Sequence, residues 1–119
     1  MKSVSTALFI VLFCVGFTYS QGCLSSGITF SSQSQIDNFQ TDYPGCTVIE
    51  GGVQLSGSSI NSLAGLNVIT EIQGQLKIQG SFNLDDLAGF SSLIRIGGSL
   101  SIWDNGHLKT LKGLERDFI

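Results

Sequence analysis

Few side chains in this sequence could do chemistry: three cysteines, one histidine, nine carboxylates and a single tryptophan. A calcium site would need about six to eight oxygen ligands at fixed spacing. Asp85-Asp86 and Asp104-Asn105-Gly106 have no counterparts elsewhere in the chain to complete such a set, and both read as turns. His107 has no serine, cysteine or carboxylate set around it in a catalytic pattern and reads as a loop residue. Serines are plentiful, yet there is no Gly-x-Ser-x-Gly elbow and no glycine run with phosphate-loop spacing. Paired carboxylates on one outward face, which a glycosidase would use, are missing as well. We therefore expect no enzymatic activity, no metal and no cofactor.

The cysteines carry a sharper message. Cys14 lies in residues 7–17, an unbroken apolar run of 11 residues that follows Lys2. Thr18 and Ser20 place small side chains three and one positions before Gln21. A positive start, a short apolar run and small residues before a cut describe a secretory signal peptide, and the run falls short of the roughly 20 residues a membrane helix needs. We expect removal of residues 1–20, leaving a secreted or surface-displayed chain without a membrane span. Acylation of Cys23, as in a lipoprotein, would need an apolar residue at Ser20 and a small one at Gln21. Cleavage leaves Cys23 and Cys46, and an even pair in an oxidising compartment most simply forms a disulfide. That bridge closes a loop of 23 positions, worth on the order of 3 kcal/mol by restricting the unfolded chain. Metal binding, the rival use, would want more soft ligands than the distant His107.

Without Lys2, the mature part holds five basic and nine acidic residues. A mildly acidic chain with scattered Lys and Arg has no footprint for nucleic acid or anionic lipid. No Asn-x-Ser/Thr sequon is present, so N-glycosylation offers no clue to the export route.

What positions these residues is a repeat. One apolar frame begins at Ile49, Ile72 and Ile96, spacings of 23 and then 24. Each copy opens with alternation, as in Ile72, Gly74, Leu76 and Ile78, with polar residues between. It then shifts to a period of three, as in Leu84, Leu87 and Phe90. A strand with one wet face followed by a tight or 3₁₀ turn is the unit this predicts. Successive strands should lie about 4.8 Å apart as rungs of one parallel sheet around a shared core. Gly51, Gly74 and Gly98 leave no side chain at an inward position, which implies close backbone approach there.

Ahead of the repeat, residues 27–30 form an apolar, β-branched run suited to an edge strand. Residues 31–39 follow, with serines able to cap a short helix and with Ile36 and Phe39 on one of its faces. Tyr43-Pro44-Gly45 ends it. We expect this helix to cover the first coil and the disulfide to fasten it there. The organisation is thus a leader at 1–20, an N-terminal cap at 21–48 and a three-coil solenoid at 49–119. The frame stops before a fourth strand, with Asp117-Phe118 where earlier coils carry Val68-Ile69 and Leu93-Ile94. We expect an incomplete solenoid, a fragment or truncated product, whose last coil leaves Leu108, Leu111 and Leu114 open to solvent or a neighbour.

Cys23, the helix carrying Phe39, and Cys46-Thr47-Val48-Ile49-Glu50-Gly51 followed by Val53-Gln54-Leu55 resemble the opening of the receptor L domain. This is the leucine-rich-type β-solenoid of the ligand-binding lobes of the insulin and epidermal growth factor receptors. Leu-Lys-Gly-Leu and Ile-Gly-Gly-Ser-Leu-Ser-Ile also resemble secreted bacterial proteins built from the same repeat. The resemblance spans about residues 23–114 and implies a mainly β fold: a right-handed solenoid with a parallel sheet and a short N-terminal capping helix, used for recognition outside the cell. Two departures stand out. With no second L domain, cysteine-rich module or kinase in the sequence, signalling is not implied. The asparagine that leucine-rich repeats place after the strand occurs only as Asn105, with Ser58 and Ser81 in the other two coils, so the asparagine ladder is interrupted.

By parity Trp103 points outward from the last strand, where an amphipathic ring serves either as a contact anchor or as cover for the sheet rim and the absent fourth coil. Gln54, Gln75, Lys77, Gln79 and Ser101 share its parity and would complete a polar, nearly uncharged patch. Such a face suits an extracellular protein or a glycan. The alternative is a structural role as one segment of a longer repeat-built surface or adhesion protein. An ice-binding face would need a repeated outward threonine row, which is missing.

Overall fold

The computed structural model describes residues 22–111 and 114. The leader, its cleavage position and Asp117-Phe118 lie outside the described residues. The strands are β1 (Ile28–Phe30), β2 (Val48–Ile49), β3 (Val53–Leu55), β4 (Glu71–Ile72), β5 (Leu76–Gln79), β6 (Arg95–Ile96) and β7 (Leu100–Trp103). Two short helices, α1 (Gln33–Asp37) and α2 (Phe39–Asp42), precede β2, and 3₁₀ turns occupy Ala64–Leu66 and Ala88–Phe90. All pairing is parallel, with neighbours one repeat apart. Leu55 stands beside Ile78 and Ile78 beside Ile102, as the spacing of the frame predicts.

The single strand expected per coil is divided. β1, β3, β5 and β7 make a four-stranded sheet, while β2, β4 and β6 make a separate three-stranded one. The break falls at the glycines, where the backbones of successive coils stack directly. A Cβ on Gly74 would lie 2.6 Å from the Gly51 carbonyl carbon, one on Gly98 would lie 2.8 Å from that of Gly74, and one on Gly51 would collide with the Gly27 backbone. Alternation runs through this point in the sequence, but the ladder does not.

Residues assigned to the cap lay the first rung of both sheets. Cys23 bridges to Ile49 in parallel, and β1 pairs with β3 as the expected edge strand. Ser32 caps α1 reciprocally with Gln35, whose side-chain oxygen accepts the Ser32 and Ser31 amides at 3.2 and 2.7 Å. The helical stretch is broken at Asn38 into α1 and α2, where one helix was expected. Ile36 and Phe39 nonetheless reach zero exposure, and the Phe30 and Phe39 rings meet edge-on at 5.7 Å. Both helices pack against the first 3₁₀ turn, where a side chain on Gly65 would strike the Ile36 carbonyl. A Cys23–Cys46 disulfide, with Cα atoms 5.7 Å apart, closes the segment that contains the helices.

The period of three becomes tight turns, with Leu66 N–H donating to the Leu63 carbonyl and Phe90 N–H to that of Leu87, both at 2.9 Å. Coil three repeats the bond from Leu114 to Leu111 at 2.8 Å. The expectation that Leu108, Leu111 and Leu114 all stand open is corrected. Leu114 joins the buried core and Leu108 packs partly against it, whereas Leu111 is 51% exposed.

Asn105 ties coil three to coil two. Its amide nitrogen donates to the carbonyls of Ile78 and Trp103 at 3.0 Å each, and its oxygen accepts the Ser81 amide at 2.9 Å. Just before it, Asp104 adopts φ of 60°, matching Gly80 one coil earlier at 63°.

Two stability outcomes follow, each measured by urea or guanidinium unfolding. Ile78→Ala, which empties a site with zero exposure, should cost about 2–5 kcal/mol. Asn105→Ala should cost about 1–3 kcal/mol, because it strands the amide of the fully buried Ser81.

Candidate ligand-binding face

Alternation in β3, β5 and β7 turns every second side chain away from the core. Register then sets those side chains in rows about 4.8 Å apart. One row runs Thr29, Gln54, Lys77 and Ser101 across all four strands. A second sets Gln79 opposite Trp103. A third lies where the chain approaches β5 and β7, with the Ser99 hydroxyl 3.4 Å from the Gln75 side-chain oxygen. Gln54, Gln75, Lys77, Gln79, Ser101 and Trp103 thus come together on one sheet, drawn from three coils.

The electrostatics are mild. Lys77 sits between Gln54 and Ser101, and the ion pair of Arg95 with Glu71, at 3.2 Å, belongs to the other sheet. Trp103 is 54% exposed, so its ring is not absorbed into the rim packing. Toward β1 the same face carries a shallow polar depression lined by Ser26, Thr29, Gly52, Gln54 and Gln75.

Phe82 is a surface residue that strand parity misses, because it stands three residues past Gln79 in a loop. It is 45% exposed, and a Cβ on Gly106 would lie 3.9 Å from its ring. The signal was in the repeat: spacings of 23 and 24 align Ser59, Phe82 and Gly106, an aromatic where the sister coils have small residues.

The remaining candidates stay apart from this face. Asp86 accepts the Ala88 amide at 3.0 Å and, with Asp85, lines a cleft on the 3₁₀-turn side together with Asn61, Ser62 and Asn67. His107 lies exposed in a turn. Among the described residues no three His, Cys, Asp or Glu side chains converge as a metal site would require. No described helix is long and apolar enough to cross a membrane.

A search of curated proteins found no match. The family model of the receptor L domain matches residues 45–115, from just before Cys46 into the third coil. More than half of the chain lies inside that match, and the order of paired strands and turns found here runs through it: the chain belongs to the receptor L-domain family.

Proposed function

We propose that the chain is an exported recognition module, secreted or held at the cell surface, that binds an extracellular protein or carbohydrate on the outer face of its four-stranded sheet and carries no enzymatic activity. In this reading residues 1–20 are the export signal and residues 21–48 are the cap. Residues 49–119 are a three-coil solenoid of right-handed sense, whose N-terminal end α1 and α2 close. The observation that carries it is the side-by-side alignment of Gln54, Lys77 and Ser101 with the Gln79–Trp103 pair. An amphipathic ring beside amides and a lysine that makes no ion pair among the described residues has the composition of a recognition surface. Membership of a family whose domains recognise ligands supports the same conclusion, as does the disulfide, which suits an oxidising compartment.

A structural role as one segment of a longer adhesion protein is the second reading. It is favoured by the last rung, where Leu100 and Ile102 are only partly buried while Leu76 and Ile78 have zero exposure.

An array of immobilised secreted proteins, cell-surface proteins and glycans tests the first reading. Trp103→Ala should weaken a hit about tenfold or more, and Lys77→Ala by less. Glu71→Ala, on the other sheet, should leave it unchanged; hits indifferent to both Trp103 and Lys77 would rule out this face. For the second reading, sedimentation at high concentration should show self-association, with amide exchange in β7 faster in dilute solution than in β5. A stable monomer whose β7 is as protected as β5 would remove it.

A further inference from the structure

We propose that Trp103 and Phe82 form an aromatic corner that binds a neutral carbohydrate. This rests on the recognition reading above and narrows its ligand to one class. The two rings are 54% and 45% exposed in a chain that drives Phe30, Phe39 and Phe90 to 1% or less. They belong to neighbouring coils at the same end of the strands: Trp103 pairs with Gln79, Phe82 follows three residues later, and a Cβ on Gly106, three residues past Trp103, would lie 3.9 Å from the Phe82 ring.

One side chain fixes the backbone beneath both. Asn105 donates to the Trp103 carbonyl and accepts the amide of Ser81, the residue before Phe82. Neither ring therefore rides on a loose loop, and a ligand stacking on them would order little backbone. Gly106, beside the Phe82 ring, contributes no side chain to cover it.

The surroundings decide the ligand. Gln79 lies next to Trp103, and its side-chain amide makes no protein hydrogen bond among the described residues. Ser101 adds a hydroxyl one row away, while Lys77 and Asp104 supply opposite charges that leave the corner formally neutral. A pyranose ring offers an apolar C–H face for an aromatic side chain and a rim of hydroxyls for amides. An apolar peptide anchor would instead need a deep desolvated pocket. Among the described residues, the depression toward β1 on this face is shallow and mostly polar, lies away from Trp103, and is lined by Ser26, Thr29, Val53, Gln54 and Gln75 among others.

Trp103 is the sole tryptophan, so its emission reports on this corner alone. Titration of the folded chain with cellohexaose, chitohexaose, laminarihexaose and mannohexaose should give a saturable change in emission with at least one of them. Phe82→Ala should weaken that response about tenfold or more, and Phe82→Tyr should retain it. Because Phe82 is half exposed, circular dichroism should show both variants folded. No response across the panel, or a response that survives Phe82→Ala, overturns the carbohydrate assignment. If Trp103→Ala still abolishes capture of a protein hit from the array, the strand face stands as a recognition surface without this ligand class. If hits are instead indifferent to both Trp103 and Lys77, the broader reading fails too.

Discussion

The structure depends on two apolar columns holding their register. Val53, Leu76 and Leu100 form one, and Leu55, Ile78 and Ile102 the other. Parallel rungs have no hairpin to set their alignment, so burial of these side chains must do it. A slip of one residue would turn Ile78 out and Lys77 in, losing roughly 1.5–3 kcal/mol of burial per apolar residue and driving a charge into the core. The outer face is a by-product of that constraint: once the columns are aligned, Gln54, Lys77 and Ser101 have no other place to stand.

Close stacking imposes a second demand. Where the coils turn between the two sheets, backbone rests on backbone, and Gly27, Gly51, Gly74 and Gly98 follow one another through the stack. The first and last described rungs differ. Phe30, Ile36 and Phe39 are buried at the N-terminal end beneath the helices and beside the disulfide, while Leu100 and Ile102 in the last rung remain partly open. Asn105 compensates locally, replacing a run of asparagines with one side chain that serves three backbone groups.

The candidate face was legible because strand parity is a strong rule with one dry side and one wet side. Gln54, Lys77, Gln79, Ser101 and Trp103 follow from it directly. Phe82 did not, since the rule lapses where the strand ends and a loop residue has no parity to read. Asn105 is the one asparagine at its repeat position, yet its span from Trp103 to Ser81 cannot be counted along the chain.

The amino-acid order alone determined the period of the repeat, which side chains face inward, a serine-capped helical stretch within residues 31–39 and the pairing of Cys23 with Cys46. These are short-range patterns or counts, carried by the residue types themselves. Only the tertiary structure decided that each coil contributes to two sheets, that Cys23 bridges to Ile49 ahead of the second sheet, and that Leu114 is buried while Leu111 is not. Those outcomes turn on contacts between backbone groups a full coil apart. Backbone is chemically the same at every residue, so its meetings leave little trace in sequence beyond the glycines that make room for them.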